Sequence, residues 1–174
     1  RAKPVGHSAL ASAAGVSGLG TGSGLDEVRL NEEVREWFDA VGGSLRDTRA
    51  MLETEDIGDA DRKRFVDRLG SSAEAYRSSI YENGFRGRHA AVENDELVGF
   101  LELLLQYFDQ TIRLNRRDDG LYHAYNVMTA SSEGISIGRL QEMLEGQVAA
   151  LSAGCLGADE CVSVLEGLRR SGMY

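Results

Sequence analysis

The sequence predicts an all-α protein of about five helices folded into antiparallel hairpins. Three observations predict it. Apolar side chains recur at steps of three and four residues over most of the chain after position 25, which is the spacing of one helix face. Pro occurs once, at position 4, and aromatics make up only 7% of the residues, which favours uninterrupted helices over an all-β sandwich. Short turns rich in Gly, Asp and Asn separate the apolar stretches, as helices that reverse onto their neighbours require. No fixed-period repeat is visible, although helix pairs of this kind are the unit of both bundles and (α/α) toroids.

The elements follow in order. Residues 1–25 hold 15 Gly, Ala or Ser, no acid, and a charge of +2 from Arg1 and Lys3. Such composition cannot bury enough apolar area to offset backbone ordering, so a flexible leader or linker is expected there. Its Gly-rich run from Gly15 to Gly24 lacks the Gly-Lys-Ser/Thr and the preceding strand of a phosphate loop. A first helix is expected over about 26–54, with Leu30, Val34, Trp37, Phe38, Val41, Leu45 and Leu52 on one face. Gly42-Gly43 inside it costs about 1 kcal/mol per Gly relative to Ala and marks a bend or a close crossing. A second helix, about 60–82, carries Phe65, Leu69, Ala73, Tyr76 and Ile80 and stops at Asn83-Gly84. A third begins after Asn94 and runs to about Arg117. Its apolar set surrounds most of the cylinder, which predicts a central helix covered on more than one side. Leu121 to Ser136 reads as a long irregular connection. Helices over about 137–152 and 158–171 complete the helical domain, 26–174.

Charge and length exclude several roles. The 174 residues carry 19 Lys and Arg against 28 Asp and Glu, a formal −9. This balance argues against general nucleic-acid binding and against docking on an anionic membrane. No run of about 18 apolar residues exists to span a membrane. Cys155 and Cys161 have no His or further Cys at metal spacing, and are expected to be free thiols in a reducing, cytoplasmic setting, with a local disulfide as the alternative. Neither a metal nor another cofactor is expected. The chain starts at Arg1 and its last helix runs almost to Tyr174, so a piece of a larger parent chain, or a processed product, is expected.

Chemistry-bearing residues concentrate in two connections. In Gly84-Phe85-Arg86-Gly87-Arg88-His89, two Gly flank Arg86 and Arg88, whose guanidinium forks suit phosphate or carboxylate. The alternative is a turn with solvated arginines, or ion pairs to the acidic helices. The second connection, Asn115 to Asn126, gathers two acids, two arginines, two tyrosines, two asparagines and a histidine in twelve residues. Arg116, Asp118, Asp119, Tyr122, His123, Tyr125 and Asn126 are the candidate substrate contacts: carboxylates and amides bond hydroxyls, and aromatic faces stack on a sugar ring. The bland alternative is a capped helix end in which the tyrosines pack. Glu142 and Glu145 either face this region or form a solvated edge. No residue qualifies as a nucleophile with its base, and the catalytic residues stay unassigned. A non-catalytic interaction or scaffolding domain is the competing role, with Glu32, Glu33, Glu36 and Asp39 on a solvated or partner-facing surface.

The runs Tyr81-Glu82-Asn83-Gly84-Phe85, Asn115 to Asn126, and Glu142-Met143-Leu144-Glu145-Gly146-Gln147 resemble a segment of large bacterial proteins related to (α/α)-barrel glycoside hydrolases and phosphorylases. The resemblance covers about residues 81–174. It implies helix hairpins forming a barrel wall, connections at one end contacting a carbohydrate or phosphate, and a chain too short to close the barrel alone. It places no catalytic acid on a residue of this sequence.

Overall fold

The computed structural model describes residues 26–173. The leader expected over residues 1–25 lies outside them. The order of elements is β1 (Glu27–Asn31), α1 (Glu32–Asp47), a 3-10 turn (Arg49–Glu53), α2 (Asp59–Asn83), β2 (His89–Glu93), α3 (Asn94–Leu114), β3 (Asn126–Ala130), β4 (Ile135–Arg139), α4 (Leu144–Ser152) and α5 (Ala158–Arg170). The five helices are present, but the all-α expectation is overturned. Two antiparallel two-stranded sheets, β1–β2 and β3–β4, accompany them, and the fold is mixed.

One strand of each sheet, β1 and the end of β4, lies where helical spacing was extended too far, and its partner lies in a stretch expected to be a connection. Val28 and Leu30 fall within the span expected for the first helix, but they alternate with Glu27 and Arg29 and pair with Val92 and Ala90 of β2. Val92 is fully buried there, a contact that no local window contains. The helix waits until Asn31, whose extended backbone precedes Glu32 and Glu33 in the first turn, where acids favour the helix dipole. The stretch expected to be irregular folds instead as the hairpin β3–β4, with Ala130 opposite Ile135 and Asn126 opposite Arg139. Ser131 closes its turn: its N–H and hydroxyl both donate to Gly134 O, at 2.9 and 3.0 Å. Ile135, Ser136 and Ile137 therefore form a strand, and the helix expected from 137 begins only at Leu144.

Two apolar clusters hold the chain together. In the first, Leu45, Leu103 and Tyr107 are buried among Val41, Leu52, Phe65, Phe100 and Leu104. Phe65 stacks on Tyr107 with ring centroids 5.3 Å apart, and the Tyr107 hydroxyl donates to Leu45 O at 2.8 Å. Phe100 lies over Gly42, where an added Cβ would be 3.5 Å from its ring. The close crossing expected at Gly42-Gly43 is thus between α1 and α3. In the second cluster Leu121, Tyr122, Ala150 and Val164 are buried, with Ile112, Leu151, Leu156, Leu168 and Met173 against them. Helix α3 reaches both clusters and is central in that sense. Its covering is incomplete, since Val98, Leu105 and Phe108 stay exposed.

Helix α2 ends as its sequence requires, with Gly84 at φ 65° and its N–H donating to Ile80 O at 2.9 Å. At its start Arg62 donates to Asp59, to Ile57 O and to Ile135 O, which fastens the outer edge of β4 to the helix. Among the described residues no helix is long and apolar enough to cross a membrane. Cys155 and Cys161 are both free and half-buried.

Candidate functional site

The connection Asn115 to Asn126 begins by folding back on the end of α3. Arg117 N–H donates to Leu121 O at 2.8 Å, Gly120 N–H to Arg117 O at 3.0 Å, and His123 N–H to Asn115 O at 2.9 Å. Gly120 has φ 82°, a left-handed conformation that favours glycine. The Asp119 carboxylate accepts Leu121 N–H at 3.1 Å and the Arg117 guanidinium at 2.8 Å. Arg117 holds the Asp119 carboxyl below its ordinary range, and the second fork of Arg117 reaches Glu142 at 2.7 Å.

This turn sorts the candidate residues. Leu121 and Tyr122 go inward, and Tyr122 is only 2% exposed. Its phenol sits in the second cluster with its pKa raised by burial. Tyr122, expected as a substrate contact, lies in the core. Arg116 lies outward, 3.7 Å from Glu160. Asp118 is exposed with no hydrogen bond or ion pair among the described residues. Tyr125 is 57% exposed. The Asn126 amide donates to Asn115 Oδ1 at 2.9 Å. His123 is half-buried, and its Nδ1 has no hydrogen-bond partner. Burial, together with the positive charges of Arg139 and Arg117, lowers its pKa.

Gln147 positions the segment. Its side chain is fully buried and forms a two-way clamp: Oε1 accepts Tyr122 N–H at 2.8 Å, while Nε2 donates to Tyr122 O at 2.9 Å and Met143 O at 3.0 Å. Gly146 permits the approach, because an added Cβ would meet Ala124 Cβ at 2.9 Å and its Cα at 3.1 Å. Glu142 and Glu145 were expected on one helix. In fact Glu142 precedes α4 and is paired with Arg117, while Glu145 is exposed on the helix itself.

Asn115 and Asn126 open onto a cavity of about 260 Å³, lined also by Arg139, Gln110, Arg62, Glu55 and Asp56, with Phe65 and Tyr107 among its apolar walls. A second groove of about 540 Å³ shares Met51, Asp56 and Ile57 with it and carries Asp47, Asp61, Asp67, Arg64 and Arg68. Sequence reasoning missed most of the cavity wall. Gln110, one polar residue after the apolar run of α3, was the available signal. Arg139 fell in a stretch assigned to a helix. The wall offers amide, guanidinium and carboxylate groups at once, a set that binds hydroxyl-rich molecules. Among the described residues no three His, Cys, Asp or Glu side chains gather as metal ligands.

The other candidate pair has carboxylate partners within the chain. Arg86 donates its backbone N–H and Nε to Glu33 Oε1, at 2.8 and 2.9 Å, and Nη2 to Glu36 at 2.8 Å. Arg88 Nε donates to Glu32 at 2.8 Å. The forks expected to take an anion therefore hold the loop to α1, the ion-pair alternative for this segment. Glu33, expected on an open acidic surface, is 2% exposed, and its Oε2 has no hydrogen-bond partner. Hydrogen bonds from Arg86 lower its pKa from 4.5 to about 2. The folded state thus prefers ionised Glu33. Its stabilising effect is complete above the unfolded pKa and is lost as pH falls through the folded one. Urea titrations should show the stability gap between the wild type and Glu33→Gln closing as pH drops from 5 toward 2. A gap that stays constant across that range would contradict the assignment.

No protein-family model and no curated protein matches the chain.

Proposed function

We propose that the chain is a saccharide-binding segment of a bacterial carbohydrate-active protein of the glycoside hydrolase or phosphorylase kind. The observation that supports it is the cavity of about 260 Å³ where Asn115, Asn126, Arg139 and Gln110 meet. In this reading the Asn115 and Asn126 amides and Arg139 bond ring hydroxyls, and Phe65 and Tyr107 supply the apolar wall of the cavity. Asp118 and His123 flank the same segment. The reading assigns binding and no bond-breaking step. The balance of −9 sets nucleic acid aside as a partner, and two free thiols accord with a cytoplasmic setting.

Calorimetric titration of the 174-residue chain with gluco-oligosaccharides and with inorganic phosphate tests the proposal. The expected result is saturable binding to an oligosaccharide, weakened about tenfold or more by Asn126→Ala or Arg139→Ala, the loss of one or two hydrogen bonds. Binding that both variants leave unchanged would refute the site. Absence of heat with every sugar would refute the function.

A specific observation favours a second reading, a non-catalytic interaction domain. Val98, Leu105 and Phe108 form one exposed apolar row along α3. The same titrations separate the two, since this row requires no sugar.

A further inference from the structure

The β3–β4 hairpin has one open edge, and its hydrogen-bond parity identifies the groups that face outward. Ser131 N–H donates to Gly134 O at one end of the ladder and Leu140 N–H to Tyr125 O at the other. In an antiparallel pair, bonded residues alternate with unbonded ones. In the register of this hairpin, Val127 and Thr129 therefore exchange bonds with Gly138 and Ser136. The N–H and C=O groups of Asn126, Met128 and Ala130 point away from β4. All five residues of β3 are exposed, and no backbone or side-chain hydrogen bond satisfies those six groups from elsewhere among the described residues.

The other edges are treated differently. Arg62 donates to Ile135 O on the outer edge of β4, and Arg35 donates to Ala91 O on the outer edge of β2. Strand β1 carries Glu27 and Arg29, and such charges discourage pairing. Strand β3, Asn126-Val-Met-Thr-Ala, has no charge, no Pro and no Gly, with Val127 and Met128 49% and 61% exposed. It is the sheet edge among the described residues that has neither a cover nor a deterrent. A two-stranded ribbon is at best marginally stable alone, and gains most from a third strand.

We propose that β3 pairs antiparallel with β3 of a second copy of this chain, about a two-fold axis at Met128. The register permits self-pairing, and the uncharged sequence of β3 lets two copies meet without like charges opposed. An axis at Met128 sets Asn126 opposite Ala130 of the second copy, and Met128 opposite its own counterpart. The outward groups of both strands then coincide, and all of them are bonded in one continuous four-stranded sheet. A shift of one residue would set outward groups against inward ones. Met128 packs on Met128, Val127 beside Thr129, and no like charges face each other across the seam. The interface is isologous and closes at two copies. The seam is one five-residue strand from each copy, so a reversible dimer is expected.

Sedimentation velocity of the 174-residue chain from about 5 to 500 µM reads the association directly. A reversible monomer–dimer equilibrium is expected within that span, with Met128→Lys shifting the midpoint at least tenfold toward monomer by setting two ammonium groups on the axis. Circular dichroism of this variant should match the wild type, because Met128 is exposed and its N–H serves no bond within the hairpin. A second measurement does not depend on that variant. In a chain whose Cys155 and Cys161 are serine, Met128→Cys should be joined to its counterpart by a short bismaleimide, since facing bonded residues lie about 5.5 Å apart. Ser136→Cys, on the far strand, should not. A chain that is monomeric throughout the range would overturn the proposal. So would a dimer that Met128→Lys leaves intact, or equal cross-linking of the two cysteine variants.

Discussion

Replacing Gln147 with Leu should lower the unfolding free energy by about 3 kcal/mol. Gln147 is fully buried and bonds both the N–H and the C=O of Tyr122. Leu matches its bulk and adds apolar contact, so the cost comes from the backbone groups left behind. Each buried group deprived of its partner costs about 1–3 kcal/mol, and Tyr122 would lose two. Met143 O would lose its bond to the same amide. Equilibrium urea unfolding measures the difference. The consequence extends to the cavity, because Tyr122 anchors the run that continues through His123 to Asn126. Saccharide affinity should therefore fall in Gln147→Leu although this residue is no part of the cavity wall. A loss below about 1 kcal/mol would mean that the clamp is not made in solution.

Leu121→Ala should cost about 3 kcal/mol by a different mechanism. Leu121 is 1% exposed and sits among Tyr122, Ala150 and Val164. Helix α5 lies close upon it, such that a Cβ on Gly167 would stand 3.1 Å from Leu121 Cδ2. Truncation removes three heavy atoms and leaves a cavity, for which Leu to Ala changes cost about 2–5 kcal/mol. The cluster is small, so few neighbours are available to fill the gap. Leu165→Ala provides the contrast on the same helix. Leu165 is 55% exposed, and its truncation should change stability by less than about 0.5 kcal/mol. Equal effects of the two substitutions in urea unfolding would show that the burial pattern of α5 is wrong.

The helices were legible because their signals are local. The 3.6-residue spacing of Phe65, Leu69, Ala73, Tyr76 and Ile80, with a stop at Asn83-Gly84, located α2 to within a residue or so at either end. Asp95 and Glu96 in the first turn located the start of α3. The strands were not legible in the same way. Five-residue segments such as Glu27–Asn31 and Ile135–Arg139 are too short to separate a period of 2 from one of 3.6, and they adjoin apolar positions that continue a helical stripe. Val28 is strand because Val92 lies opposite it, 64 positions along the chain.

The candidate site divides along the same line. The composition of Asn115 to Asn126 marked this segment as chemically dense. Direction was another matter: one connection sends Tyr122 into a core and Tyr125 into solvent. Arg86 shows the same limit. Two Gly around arginines suggest an anion, yet the carboxylates of Glu32, Glu33 and Glu36 stand within reach once α1 and the loop meet. Opposite charges so far apart in sequence leave no local trace of their pairing.

By itself the sequence determined that there are five helices, the approximate limits of α2, α3 and α5, the acidic charge balance and the absence of a membrane-crossing helix among the described residues. Those follow from side-chain spacing and composition, which act within a turn or two of the backbone. Only the tertiary structure decided the two sheets, the inward turn of Tyr122, the clamp by Gln147, the engagement of Arg86 and the open edge of β3. Each depends on which distant segment supplies the partner for a buried polar or backbone group. That choice is made when the chain packs.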